Sequence, residues 1–157
     1  MKYTRLTKEQ FEALQEEFTR FLATQSITAD EWATLKAEKP EVAEAELDVF
    51  SDLVWEGALK AANFLENSST DQLFSFAVKE DHLALIHVKV EQEGVDLRTS
   101  AGKKWMLENL AGDSVEIQQG KKGYSEDRSL DIFALIRQGA EIVNNEFHKA
   151  LWNAVDN

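Results

Sequence analysis

The 157-residue sequence contains no cysteine and only one proline. Without cysteine, the chain has no disulfide, no thiolate metal ligand and no cysteine nucleophile. No apolar run approaches the roughly 18 residues of a membrane-spanning helix, and the opening MKYTRLTKEQ lacks the apolar stretch of a signal peptide. We therefore expect a cytoplasmic protein with no membrane partner.

Basic residues are also scarce. Seventeen lysines and arginines stand against 29 aspartates and glutamates, which gives a formal net charge of −12. This charge repels the phosphate backbone of nucleic acids, so we expect no nucleic-acid partner. The excess of acidic residues is concentrated in residues 40–71, which carry eight acidic side chains and a single basic one, Lys60.

Glycine and proline are too few to supply a flexible linker, and no segment repeats. We therefore predict a single domain over residues 1–157. Apolar residues recur at spacings of three and four in three long segments, which predicts helices over about 8–24, 40–66 and 128–154. Capping-box patterns at Thr7 and Thr28 predict the start of the first helix and of a short helix after it.

The apolar period changes to two between Leu73 and Glu91. This alternation predicts a β-hairpin near 72–91, with Lys79–His82 as its connection. The later part of the chain predicts a short strand at 95–98, a helix over 101–110 capped by Ser100, a strand at 114–119 and a loop at 120–123. The fold class is therefore α+β, with long helices packed on a small, mostly antiparallel sheet.

The predicted 40–66 helix carries an acidic ridge, defined as Glu44, Asp48, Asp52 and Glu56 at successive i, i+4 positions. Like charges at this spacing destabilise a helix by a few tenths of a kcal/mol per pair. The ridge is a solvated face, a surface for a protein partner or a site for a divalent cation. Beside it, Trp55 lies at the edge of the apolar arc, where it is either half-buried or an interface anchor.

Two lysine pairs form a candidate anion site: Lys103 and Lys104 at a predicted helix start, and Lys121 and Lys122 in the predicted 120–123 loop. Free backbone N–H groups at a helix start, next to lysines, hold phosphates or carboxylates. The phosphate-loop and dinucleotide-binding glycine motifs are absent from the sequence, so an ordinary helix start and turn is the alternative.

The three histidines are isolated in the sequence. His82 and His87 are five residues apart, which places them on opposite faces of a strand. His148 falls near the end of the predicted last helix, where a cationic imidazole suits the helix dipole. This spacing predicts neither a zinc site nor a catalytic triad, and no cofactor is predicted.

Three stretches carry a family resemblance: KYTRLTKEQFEALQEEFTRFLATQSITADEW, KPEVAEAELDVFSDLVWEG and SLDIFALIRQGAEI. Together they resemble an uncharacterised family of small acidic proteins from Bacteroidota, classed as a domain of unknown function. The resemblance covers nearly the whole chain and is weakest in the hairpin. It implies a stand-alone bacterial protein and brings no activity, cofactor or catalytic residue.

Taken together, these features predict a non-catalytic interaction or adaptor protein that binds a basic protein partner. Oppositely charged segments, together with Trp55, also predict a symmetric homodimer with the 40–66 helix at its interface. The alternative is a small hydrolase in which Glu44, Asp48 and Asp52 hold magnesium or manganese.

Overall fold

The computed structural model describes residues 1–143 and 146–156. The described residues contain seven helices and a five-stranded antiparallel sheet, which confirms the α+β class. They form two compact units, residues 1–60 and 61–157. A single domain over 1–157 stays a prediction. No helix within the described residues is long and apolar enough to cross a membrane.

The first unit is helical, with α1 (Lys8–Ala13), α2 (Gln15–Thr24), α3 (Ala29–Glu38) and α4 (Pro40–Ala61). Both predicted capping boxes are present, at Thr7 and Thr28. The single helix predicted over 8–24 is divided at Leu14, which lies at φ −108° and ψ 26°. The Leu14 N–H is shared between the carbonyls of Gln10 and Phe11, so the last turn of α1 tightens before α2 begins.

Aromatic packing holds α2 against α4. Leu6, Phe21 and Phe50 are buried together, and the rings of Phe18 and Phe21 meet Phe50 edge-on, with centroids 5.0 and 5.4 Å apart. Such edge-to-face pairs add to the stabilisation that comes from area burial alone. The apolar periodicity of the sequence therefore corresponds to a real core in this unit.

The second unit is built on the sheet β4-β3-β2-β1-β5. Its strands are β1 (Phe64–Ser68), β2 (Gln72–Val78), β3 (His82–Val90), β4 (Val115–Gly123) and β5 (Glu141–Val143). The predicted hairpin is β2 and β3, but its connection is one residue shorter than predicted because His82 already pairs with Gly123 of β4.

Two of the helices in this unit, α5 (Ser100–Glu108) and α7 (Glu146–Asp156), cover one face of the sheet. Their Met106 and Leu151 side chains are fully buried in a cluster with alternate residues of β2 and β3. The third helix, α6 (Arg128–Arg137), contributes the buried residues Ile132 and Phe133. The apolar residues of a half-buried strand alternate in this way because successive side chains point to opposite faces.

Two of the predicted long helices end earlier than expected. The 40–66 helix stops at Ala61, because Phe64 and Leu65 pair with both β2 and β5. The 128–154 helix is divided into α6, β5 and α7. Gly139, at φ 111°, takes the left-handed conformation that ends helices and that glycine adopts without strain. Residues 144 and 145 of that prediction lie outside the described residues.

Three further expectations between residues 95 and 123 are wrong. The predicted strand at 95–98 is a loop. α5 is capped by Thr99 and not by Ser100, because the Thr99 hydroxyl accepts the N–H of Gly102 at 3.0 Å. The predicted 120–123 loop is the second half of β4, since pairing with β3 continues to Gly123.

Candidate functional site

The acidic ridge lies along α4 beside the first residues of the chain. The Asp48 carboxylate accepts from the Arg5 guanidinium at 2.7 Å, and this hydrogen bond lowers the pKa of Asp48. Asp52 accepts the backbone N–H groups of Lys2 and Tyr3, at 2.7 and 2.9 Å. Two of the four ridge carboxylates therefore fix the amino-terminal segment onto α4.

Glu56 serves the same segment. Its carboxylate accepts from the Tyr3 hydroxyl, a hydrogen bond that lowers the pKa of Glu56 and adds to the effect of burial in raising that of Tyr3. Lys2 and Lys60 also lie within 4 Å of it. Glu44, the fourth member of the ridge, is exposed on α4. The ridge is thus largely an intramolecular docking surface for residues 2–5.

The metal-dependent hydrolase needs Glu44, Asp48 and Asp52 to converge on a cation. Within residues 1–143 and 146–156, no group of three or more histidine, aspartate or glutamate side chains is arranged to hold a metal ion. Asp48 and Asp52 already accept hydrogen bonds from the amino-terminal segment. The hydrolase stays a prediction that a titration with magnesium and manganese tests.

Trp55 is half-buried and packs against the cluster of Leu6, Phe21 and Phe50. The residues of α4 that reach outward are different ones. Val42, Val49 and Leu53 are 39, 51 and 59% exposed. At spacings of seven and four they share one side of the helix, and we call them the apolar stripe.

Carboxylates flank the apolar stripe. At 3.6 residues per turn, Glu46 lies on one side of the stripe, and Asp52 and Glu56 lie on the other. Val42 and Leu53 follow the apolar spacing that predicts the 40–66 helix, and nothing in the sequence indicates that they are exposed. Periodicity locates an apolar face but does not say what covers it.

The four lysines of the predicted anion site lie on two elements. Lys103 and Lys104 are on α5, and Lys103 is engaged by the Glu66 carboxylate at 3.1 Å. Lys121 and Lys122 are neighbours in β4, so their side chains point to opposite faces of the sheet. The two lysine pairs are therefore separate candidates for an anion site.

A buried polar network joins the sheet to α5 and α7, and we define it as Glu66, Ser75, Lys103, His148 and Trp152. The Ser75 hydroxyl is 2.7 Å from His148 Nδ1, and His148 Nε2 is 2.9 Å from the Glu66 carboxylate. The Trp152 indole N–H donates to Ser75 Oγ at 3.0 Å. Because the carboxylate only accepts, His148 Nε2 donates to Glu66. In a neutral imidazole with this tautomer, Nδ1 accepts from the Ser75 hydroxyl.

Burial and hydrogen bonding have opposite effects on the pKa of Glu66. Burial alone would raise the pKa of Glu66, but hydrogen bonds from His148 and Lys103 outweigh it, and the pKa of Glu66 is lowered. Glu66 is therefore a carboxylate held between two donors. Hydrogen bonds in such a largely buried network help to fix the elements that they join.

The network contains the residue types of a serine hydrolase triad, but Ser75 and His148 are both 0% exposed. A nucleophile needs access to substrate, which this serine lacks as it is placed. Ser75 also lies in the middle of β2, and its oxygen accepts from Trp152. The geometry therefore favours a structural role for the network.

Sequence reasoning missed this network. His148 lies in the first turn of α7, and not near the end of a helix as predicted. Its partners Ser75 and Glu66 are 73 and 82 residues away in the chain, so no local motif links them. Of the other histidines, His82 contacts Asp81, and His87 contacts Gln72 and stacks on Phe74.

Comparisons with known proteins bear on the identity of the chain. Comparison with curated proteins gave no match, and comparison with solved structures gave none either. A family model described as a family of unknown function (DUF6495) matches residues 1–156. The expected membership of an uncharacterised family is confirmed, whereas an origin in Bacteroidota stays a prediction. The chain therefore belongs to the family of unknown function DUF6495.

Proposed function

We propose that the protein is a non-catalytic interaction protein that binds a basic, amphipathic helical partner along α4. The observation that carries the proposal is the apolar stripe, three exposed aliphatic side chains in line on a helix rich in carboxylates. Single exposed aliphatic residues are ordinary on a protein surface, but an aligned set rimmed by polar residues is typical of interaction sites.

The stripe has the dimensions of a helix-binding surface. Val42 and Leu53 are eleven residues apart, which is about 16 Å along a helix at 1.5 Å per residue. A different side of α4 already packs into the core of its unit through Phe50 and Val54. The stripe is therefore additional to the apolar surface that this core uses. A partner helix that presents aliphatic residues at the same spacing would cover it.

Charge argues for a basic partner over a second copy. α4 contains six carboxylates and one lysine, Lys60: the carboxylates are Glu41, Glu44, Glu46, Asp48, Asp52 and Glu56. Two copies packed along α4 would bring acidic helices together, which is unfavourable, whereas a lysine-rich helix would be attracted. Trp55 was the anchor in the predicted homodimer, but it packs on its own core.

A defined peptide tests the proposal. The probe is a synthetic amphipathic helix of leucine and lysine, with binding followed by fluorescence anisotropy. The double variant Val49→Ala, Leu53→Ala should bind about tenfold more weakly, which corresponds to about 1.4 kcal/mol. Alanine keeps helix propensity high, so the fold should persist. The matched control is Leu130→Ala, an exposed leucine on α6 that should leave binding unchanged.

Two results would overturn the proposal. One is equal peptide affinity of the wild type and the double variant, which would mean that the acidic charge alone attracts the peptide. The other is a dimeric mass of the unliganded protein in light scattering that reverts to 17.8 kDa in the double variant. In that case the stripe is covered by a second copy. A peptide in which glutamate replaces lysine should not bind.

A further inference from the structure

A groove lies between α6 and the face of the sheet opposite α5 and α7. Its volume is about 420 Å³, which falls within the range of roughly 300–1,000 Å³ typical of small-molecule sites. The floor is Phe76, Leu83 and Leu85 from β2 and β3, and the wall is Ala134 and Leu135 from α6. We call it the α6 groove. It is apolar over most of its lining and open on one side.

Gly120 keeps the groove open. It pairs with Leu85, so its missing side chain would project into the groove, on the same face as Leu85 and Phe76. A Cβ atom at this position would meet nothing within 4 Å, and the residue does not have a positive φ. Neither backbone conformation nor close packing therefore requires glycine here. A glycine inside a strand often marks a place where a ligand approaches the backbone.

The charged residues that line the groove are Lys121, Lys122 and Asp131. The Lys121 side chain points to the other face of β4. Lys122 is exposed, shares the face of Gly120 and makes no ion pair with any residue that the structure describes. Asp131 accepts from the N–H and the hydroxyl of Ser125, at 2.7 and 2.5 Å, so both of its oxygens are engaged. An anionic group on a ligand would therefore meet Lys122.

We propose that the α6 groove binds a small amphipathic carboxylate. The apolar body of the ligand lies over Gly120 between α6 and the side chains of Phe76 and Leu85, and the carboxylate pairs with Lys122. One lysine beside an engaged aspartate suits a single negative charge better than a phosphate dianion. This site is separate from the apolar stripe, and its test does not depend on that proposal.

Three probes with the same ten-carbon chain test the site: decanoate, decanol and decylamine, each below its micelle concentration. Binding is measured by calorimetry and located by amide chemical shifts. Decanoate should bind saturably, perturb β2, β3, β4 and α6, and bind more tightly than decanol. Decylamine should bind most weakly. Decylamine affinity equal to that of decanoate would overturn the assignment of the charge to Lys122.

Control variants outside the groove sharpen the test. Gly120→Val fills the groove and should lower decanoate affinity at least about tenfold, whereas Gln119→Val, at an exposed position on the other face of β4, should not. Lys122→Gln should weaken decanoate about tenfold and leave decanol unchanged, and Lys104→Gln, at an exposed lysine of α5, should change neither. If Gly120→Val fails to fold, the comparison of Lys122→Gln with its lysine control still tests the site. The proposal is overturned if decanoate does not bind the wild type, or if a groove variant and its control have the same decanoate affinity.

Discussion

Replacing Ser75 by alanine tests whether the buried polar network stabilises the second unit. The change removes one oxygen that takes part in two hydrogen bonds, to His148 Nδ1 at 2.7 Å and to the Trp152 indole at 3.0 Å. Ser75 and His148 are fully buried and Trp152 is half-buried, so water has little access to replace the lost partner. The network would lose its link between β2 and α7.

The magnitude follows from the two polar groups that lose their partner. A buried group left without a hydrogen bond costs about 1–3 kcal/mol. Two such groups, one of them half-buried, should lower the free energy of unfolding by about 2–4 kcal/mol. In a chain of this length, each kcal/mol corresponds to about 2–4 °C. The melting temperature should therefore fall by about 5–15 °C.

Urea unfolding followed by tryptophan fluorescence and circular dichroism measures the change. The two signals should coincide, and the m-value should match that of the wild type, so that the midpoint shift reports stability. Ser69→Ala is the control, because Ser69 is exposed and its hydroxyl makes a 3.4 Å contact with Asp71. A loss for Ser75→Ala within about 0.5 kcal/mol of the control would refute the reasoning.

Three further changes test other parts of the structure. The folded state lowers the pKa of Glu66, so the ionised Glu66 contributes to folding stability above its unfolded pKa, and this contribution is lost as pH falls through the folded pKa. In urea titrations, the stability advantage of the wild type over Glu66→Gln should therefore shrink between pH 7 and pH 3. A constant difference would contradict this. Asp52→Ala removes the acceptor of two backbone N–H groups, so the amides of residues 2 and 3 should exchange with deuterium faster by NMR, while those of α3 should not change. Thr99→Ala should cost about 1 kcal/mol and Ser100→Ala at most a few tenths, and the reverse order in thermal unfolding would contradict the assigned cap of α5.

The sequence was informative where the cause of structure is local. A capping box needs only residues three positions apart, so the patterns at Thr7 and Thr28 could be recognised without tertiary information. The β2–β3 hairpin was equally clear, because its alternation and its short connection lie within 20 residues. These elements also establish the α+β class.

Prediction failed where pairing between distant segments decides the structure. Phe64 and Leu65 continue the helical spacing of α4, yet both lie in a strand bonded on its two sides, to β2 and to β5. β5 has only three residues, too few to show a period of their own. The same limit hides the polar network, since Glu66 and His148 are 82 residues apart.

The acidic ridge shows why charge in a sequence needs the fold before it is interpreted. Its carboxylates are close in the sequence, but the groups that bond Asp48 and Asp52 come from residues 2–5, more than 40 positions earlier. Exposed ion pairs such as Arg5–Asp48 contribute about 0–1 kcal/mol, so the ridge positions the amino-terminal segment more than it stabilises the unit. In the proposed interaction, α4 then offers its partner the apolar stripe, with the carboxylates around it. Binding that depends on Val49 and Leu53 should dissociate more slowly than charge alone allows, while salt should chiefly slow its association.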